Sequence, residues 1–341
     1  MVIINGLLHP VDGPVIPRGF VAWEGERIMA VGGMDALPDR DLGPVIDAKG
    51  AHVTPGYIDA HCHLGLFPDS RSYDSVVSDG PESIAPDFDP LAHADLTDRY
   101  FAQARAAGIA AVAIAPGSKN PVAGRIACVR TDGTVLRPFA AFKLSLGETP
   151  ERTTGLSQED LARLLAKVLP GLAVKTPVHV HAHRATDIAT ALDLAKRFGL
   201  EVVVVHGTEG YRMAQTIAQS GASVITGPIL TDRSKPELAN ATLETPAILR
   251  QAGVRIAICT DHPEVPGPYL TLCAGLAVRG GLSEEEALAA ITLRPAEILG
   301  LADDFGSLTV GKTADIVVTP GPLFSIKDTP SAVILGGGRV I

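Results

Sequence analysis

Residues 177–207 read PVHVHAHRATDIATALDLAKRFGLEVVVVHG. The two ends, PVHVHAH (177–183) and EVVVVHG (201–207), are short runs rich in β-branched residues and read as strands. Between them, from about Thr186 to Phe198, apolar positions recur at helical spacing and Gly199 supplies a stop. Val202–Val205 are apolar throughout, so that strand is buried on both faces. Strands of this kind, alternating with helices, form a parallel sheet.

The same alternation extends in both directions. Downstream, a helix to about Ser220 closes at Gly221, followed by ASVITG (222–227) and VRIAICTD (254–261). Upstream lie GIAAVAIAP (108–116) and PFAAFKLSLG (138–147). Capping boxes Ser157-x-x-Asp160 and Ser283-x-x-Glu286 open two helices, the first stopping at Pro170. Strands near residues 58, 110, 128, 140, 178, 203, 224 and 257 predict an α/β fold, a (β/α)8 TIM barrel of parallel strands. No G-x-G-x-x-G opens the first unit, so a dinucleotide-binding sheet has no support. The chain ends differ from this middle. VIIN (2–5), FVAW (20–23), RIMAV (27–31), ADIVVTP (314–320) and SAVILGGG (331–338) are strand-like without helical partners. The expected organisation is a small flanking β-sandwich from 1–52 and 303–341, beside a barrel at 53–302.

Composition narrows the function classes. The chain has 341 residues, 46% hydrophobic and 20% charged, with mean hydropathy +0.23, which excludes a disordered chain. A net charge of −9 repels a phosphate backbone, so no nucleic-acid partner is expected. Cys62, Cys128, Cys259 and Cys273 are scattered, with no C-x-x-C, so neither a disulfide framework nor a thiolate zinc site is expected. The start, MVIINGLLHP, lacks a basic leader pattern. Apolar runs such as 109–115 fall short of the roughly 20 residues that span a bilayer. The expectation is a cytoplasmic protein without a membrane partner, its state as monomer or homo-oligomer left open.

Chemistry enters with the histidines. Of ten, seven (His61, His63, His179, His181, His183, His206 and His262) fall at or near the C-terminal ends of expected strands. In a barrel, that end carries the active site. His61 and His63, two apart in YIDAHCHLGL (57–66), leave one face of a strand and can reach one ion. A hydrogen-bonded core pair is the competing reading. His181 is the expected ligand of its strand, with His183 just beyond it. His179 is expected to be a packed, hydrogen-bonded histidine deeper in the barrel. His206 ends the next strand, where Gly207 lets the chain turn sharply. Asp261 ends the last strand, and barrel closure would bring it beside His61 and His63. Imidazoles with one carboxylate suit Zn²⁺, one ion or two, or another divalent transition metal.

With these residues in view, PGYIDAHCHLGL (55–66), HAHRATDI (181–188), VVVVHGTEG (202–210), ICTDHP (258–263), ITLRPAEILGL (291–301) and GSLTVGKTADIVV (306–318) resemble the amidohydrolase superfamily. The nearest branch is the imidazolonepropionase-like one, and the resemblance covers nearly the whole chain. It implies a metal-bearing barrel flanked by a β-sandwich, with His61, His63, His181, His206 and Asp261 at the metal and catalytic positions. Many binuclear members carry a carboxylated lysine. Lys143 in AFKLSLGE is the candidate here, and a structural salt bridge is its alternative.

The implied reaction is hydrolysis of a C–N bond in an amide or cyclic amide. Asp261 would act as general acid/base, and His206 or His183 would face the carbonyl oxygen. For a small, carboxylate-bearing substrate, Lys119, Arg233 and Lys235 are candidate contacts, as are Arg184 and Glu209 at the mouth. His262 is expected to orient Asp261 on the substrate side, and Cys62 to be packed away from its histidine neighbours. A metal-dependent dipeptidase is the alternative within the superfamily, and a catalytically silent scaffold the alternative outside it.

Overall fold

The computed structural model describes residues 1–67, 78–172, 176–231 and 234–341. The chain opens with β1 (Val2–Leu8), β2 (Ile16–Glu24), β3 (Arg27–Gly33), β4 (Val45–Asp47) and β5 (His52–Pro55). The eight strands expected of the middle are all present. They are β6 (Tyr57–Cys62), β7 (Ile109–Ile114), β8 (Val122–Arg130), β9 (Val135–Ser145), β10 (Val178–Ala182), β11 (Val202–His206), β12 (Ser223–Thr226) and β13 (Ile256–Ile258). They hydrogen-bond in sequence order into one sheet.

One part of the parallel expectation is corrected. β8 runs antiparallel to both β7 and β9. The reason is connection length. Residues 115–121 join β7 to β8 and residues 131–134 join β8 to β9. A parallel crossover needs about a dozen residues, whereas a tight turn suffices for antiparallel neighbours. Asp132 supplies the second turn, its Oδ1 accepting from Thr134 N at 2.9 Å. The start of β8 therefore lies at the same end of the sheet as the ends of the parallel strands.

Helices separate the parallel strands. α1 (Arg99–Ala106) precedes β7, and α2 (Glu148–Thr154) with α3 (Gln158–Val168) precedes β10. α4 (Ala185–Phe198), α5 (Ala214–Ser220) and α6 (Thr245–Gln251) follow β10, β11 and β12 in turn. α7 (Leu270–Arg279), α8 (Glu284–Ala289) and α9 (Leu293–Leu299) come after β13. Both capping boxes form: Asp160 N donates to Ser157 Oγ and Glu286 N to Ser283 Oγ, each at 3.2 Å. Such a cap stabilises its helix by about 1 kcal/mol.

The pleat sorts the side chains. Val178, Val180, Ala182, Val202 and Val204 join the large cluster under the helices. His179 pairs in register with Lys143 and Val203, and His181 with Ser145 and Val205, so these six share the opposite, inner face. Val203 and Val205 meet Ala60, Ile225, Ala257 and Cys259 there. Ile298 of α9 joins that group, while its neighbours Ala296 and Leu299 pack with Ile58, Ala111 and Ile126. α9 thus contacts both halves of the wall.

The sheet nearly closes. No ladder joins β13 to β6, but Asp261 N donates to His61 O at 3.1 Å and His63 N to His262 O at 2.9 Å. Lower down, Ile58 N bonds Ile291 O and Ile258 N bonds Ala290 O, so residues 290–291 fill the gap.

Both chain ends enter one second sheet. β14 (Ile316–Thr319), β15 (Ala332–Leu335) and β16 (Gly338–Arg339) extend it in the order β16-β15-β14-β5-β1-β2-β3, with β4 also on β1. Trp23 Nε1 donates to Gly337 O at 2.9 Å across this sheet. Ile3, Val21, Trp23, Val53, Ile316 and Ile334 share one core cluster, so residues from both termini bury one apolar face. No described helix is long and apolar enough to cross a membrane.

Candidate metal centre

The expected histidines meet at the end of the barrel where the parallel strands finish. His61 and His63 come from β6, His181 and His183 from β10, His206 from β11 and Asp261 from the segment after β13. The rings of His61 and His206 lie 5.7 Å apart, those of His181 and His206 4.6 Å, and those of His183 and His206 4.6 Å and stacked. Ligand atoms of His181, His183 and His206 fall within 4.8 Å of one another, as do those of His61, His206 and Asp261. Lys143 of β9 reaches the same point, with Nζ 3.4 Å from His61 Nε2 and 3.2 Å from Ser118 Oγ. Ser118 in turn lies 3.1 Å from His181 Nδ1.

His206 shows how the backbone aims a candidate ligand. In register it stands beside Ala182, whose side chain faces the helices. Its φ of 75° breaks the pleat at the strand end and brings the ring to the barrel mouth. The ring is then fixed by Nδ1, 2.6 Å from Gly227 O. His63 is fixed alike by Ala115 O at 2.7 Å, and His183 by Thr208 Oγ1 at 2.7 Å. A carbonyl partner at Nδ1 places the ring proton there and leaves Nε2 as a lone pair, the arrangement common around metal-bound imidazoles.

The consequence is sharpest at His63. Its Nε2 faces Asp261 Oδ1 at 3.2 Å. Two acceptors at that distance repel unless a proton or a cation lies between them. His181 Nε2, His183 Nε2 and Asp261 Oδ1 are buried without a hydrogen-bond donor among the described residues. Such orphaned groups cost about 1–3 kcal/mol each, so a ligand must account for them. Imidazole nitrogens and a carboxylate suit a borderline divalent cation.

The electrostatics agree. Burial pushes His61, His181 and His183 well below the ordinary histidine value and His206 down to about 4. These imidazoles are neutral at pH 7, as ligands must be. Burial also pushes Lys143 down to about 8. For Asp261 burial acts upward, but His206, His63 and Lys143 outweigh it and keep the carboxylate ionised.

Among the described residues, two cavities open onto this centre. One, of about 410 Å³, is lined by His63, His181 and Asp261 with Lys119, Arg152 and Lys235. The other, of about 290 Å³, starts at His206 and runs past Ile229, Leu238 and Leu243. Of the expected substrate contacts, Lys119 and Lys235 line the first cavity, and Arg233 lies outside the described residues. Arg184 has its guanidinium 3.9 Å from Glu148. Glu209 accepts from Ala185 N, Arg212 and Asn240. His262 turns its ring to Tyr100, 4.6 Å away, and accepts at Nδ1 from Gly267 N. Cys62 is packed as expected, and burial pushes its thiol up. His179 is buried as expected, but neither ring nitrogen has a hydrogen-bond partner among the described residues; Lys143 of β9 and Val203 of β11 stand beside it in register.

Sequence reasoning missed Ser118, Arg152 and Glu237. Glu237 is buried, with Oε1 3.7 Å from His183 Nε2. No spacing pattern marks these residues, since each reaches the centre from a loop or short helix.

Comparison with known proteins now adds to the geometry. The model of the amidohydrolase family matches residues 52–340. The chain belongs to that family. An imidazolonepropionase of Polaromonas sp. strain JS666 is 28% identical over 371 residues, covering 89% of this chain and 81% of the relative. That of Symbiobacterium thermophilum is 25% identical, covering 91% and 86%. The crystal structure of an amidohydrolase from Thermotoga maritima MSB8 superposes with a TM-score of 0.93 at 31% identity, covering 100% of this chain and 99% of the other. The chain is therefore an amidohydrolase enzyme of the imidazolonepropionase-like branch, in a metal-dependent superfamily.

Proposed function

We propose that this amidohydrolase cleaves the C–N bond of an amide or cyclic amide in a small, carboxylate-bearing substrate, with Zn²⁺ as its metal. The observation that carries the reading is the lone pair of His63 Nε2 facing Asp261 Oδ1 at 3.2 Å amid other orphaned ligand atoms. We propose that His61, His63, His181, His206 and Asp261 would hold the metal, and that Lys143, if carboxylated, would add a further oxygen ligand. A divalent cation bound there acidifies water and polarises a carbonyl oxygen.

The chain's own groups do the rest. Asp261 takes a proton from the attacking water and delivers it to the leaving nitrogen. Its ionised state at neutral pH leaves it ready to accept. His183, held at Nδ1 by the Thr208 hydroxyl, faces the carbonyl oxygen, and His206, stacked on it at 4.6 Å, keeps its Nε2 lone pair for the metal. Lys119 and Lys235 draw the substrate carboxylate into the cavity that Asp261 lines. We assign residues 1–52 and 303–341 to a flanking β-sandwich unit, extended to Pro55 because β5 pairs with β1 and β14, and the chain from there to 302 to the catalytic barrel, in a cytoplasmic protein.

The test is activity profiling of protein loaded with Zn²⁺, Mn²⁺ or Co²⁺ against N-acyl amino acids, dipeptides, hydantoins and lactams, with bound metal counted by mass spectrometry. Turnover of a carboxylate-bearing amide with at least one bound ion supports the reading. Protein that binds no metal and is not destabilised by chelator overturns it.

A further inference from the structure

The two cavities at the metal centre differ in character. The one beside Asp261 carries Lys119, Arg152 and Lys235 against Asp79, Glu264 and Asp261 itself, and Arg152 also faces Glu148 at 3.7 Å, which leaves Lys119 and Lys235, among the described residues, as the cations open to a substrate anion. Asp79 is already engaged by Ser78 Oγ at 2.9 Å and by Lys119 N at 3.1 Å. The one beside His206 has no Asp, Glu, Lys or Arg among its described lining residues. Pro228, Ile229, Leu238, Leu243 and Pro246 give it an apolar wall, interrupted by threonines. Ile229 and Leu243 are only half-buried, so hydrocarbon seated there would remove apolar surface from water. At about 290 Å³ it stands at the small end of ligand pockets and fits one modest group.

We propose that the centre divides its substrate between these cavities, so that it takes N-acyl amino acids whose uncharged aliphatic acyl chain enters the pocket beside His206. This rests on the C–N hydrolase reading above. The direction follows from the proton. Asp261 lines the cavity that carries Lys119 and Lys235 and not the apolar one. The nitrogen that receives its proton therefore leaves on the side of the two lysines and carries the carboxylate, which puts the acyl carbon's substituent on the side of His206. The balance is simple. Water oxygen bonds to the acyl carbon, and the C–N pair goes to nitrogen. That nitrogen takes the proton Asp261 removed from the water, giving a carboxylic acid and a free amino acid. Cation and hydrocarbon thus select different halves of one molecule. A dipeptide would place an ammonium group in a pocket with no carboxylate among its described lining residues to receive it.

The experiment uses the full-length, metal-loaded enzyme and an N-acyl series from acetyl to hexanoyl on one amino acid. Ala241 is an exposed lining residue of the apolar pocket, so Ala241→Trp fills it without disturbing the core. The wild type is expected to gain about four-fold in kcat/KM per added methylene until the pocket is full. Ala241→Trp is expected to lose that gain. The dipeptide with an isosteric aminoacyl group is expected to be at least about ten-fold poorer. A flat series, a gain that persists in Ala241→Trp, or preference for the dipeptide overturns the proposal. Calorimetric binding of butanoate, hexanoate and octanoate to the same proteins decides the pocket independently of turnover. Affinity that rises with length in the wild type alone supports it, and affinity independent of length overturns it. If nothing in the series is hydrolysed, the hydrolase reading fails, and the fatty acids alone decide whether the pocket takes hydrocarbon.

Discussion

Asp59 and Thr260, 201 positions apart in sequence, are bound by two hydrogen bonds across the open seam of the barrel. Thr260 N donates to Asp59 Oδ1 at 3.1 Å, and the Thr260 hydroxyl donates to Oδ2. Both residues are buried, and His61 N also reaches Asp59 Oδ1 at 3.4 Å. The pair holds the turn that carries Asp261 against the strand that carries His61 and His63. Asp59→Ala would orphan two buried donors, so it is expected to lower stability by about 2–4 kcal/mol and to weaken metal binding. Asp59→Asn keeps one acceptor oxygen and should cost less. Denaturant midpoints and metal titration check this. An unchanged alanine variant would mean that the two backbone bonds at His61 and His63 close the seam unaided.

Asp261 is assigned both to the metal and to the proton. Removing its carboxylate with Asp261→Ala should lower kcat by about 10²–10⁴-fold. Five imidazoles remain near the centre, so part of the metal should still be bound. Steady-state rates with metal counted on the same samples separate the two effects. Full activity in this variant would show that another group moves the proton.

The barrel and the histidines at its mouth were legible because their causes are local. Strand periodicity put His179 and His181 on one face, and order along the chain put β13 beside β6, whereas Lys143 came from the family resemblance and only the register with His179 shows it on the same face. The antiparallel β8 was not legible from its own residues. Its direction is set by the short connections at 115–121 and 131–134, which the apolar pattern of the strand does not report. His206 was correctly placed at a strand end, but pleat alternation alone would have pointed it at the helices, and only its positive φ brings it inward. Arg184 and Glu209 looked like mouth residues from spacing. Their nearest partners, Glu148, Arg212 and Asn240, come from other loops and helices that no local pattern predicts.

Gly227 ties backbone geometry to the candidate metal centre. Its φ is 128°, and a Cβ there would lie 2.5 Å from Cys259 O. Its own carbonyl is the partner of His206 Nδ1 at 2.6 Å. Gly227→Ala must therefore move the chain that orients a ligand. Loss of such an outer partner typically costs about 10–100-fold in metal affinity or activity. Metal titration of the folded variant checks it, with circular dichroism to confirm the fold. Wild-type affinity would show that His206 is held by its packing against His183 rather than by this carbonyl.

Asp187, buried in the first turn of α4, gives a pH dependence with a definite sign. Burial, and then the charge of Glu237, raise its carboxyl from 3.8 to about 6, with Glu151 adding to the rise and Arg184 opposing it. Between about pH 4 and 6 the folded state holds this proton more tightly than the unfolded state does. Asp187 therefore removes stability as pH rises through that window, and the loss is constant above it. Asp187→Asn carries no charge at any pH and keeps an acceptor for the helix start. It should match the wild type near pH 4 and exceed it near pH 7, by about 1 kcal/mol once solvent screening is allowed for. Denaturant unfolding of both proteins at closely spaced pH values reads the difference directly. Parallel curves from pH 4 to 8 would mean that Arg184 compensates Asp187 fully, and that the buried carboxylate is no burden to the fold.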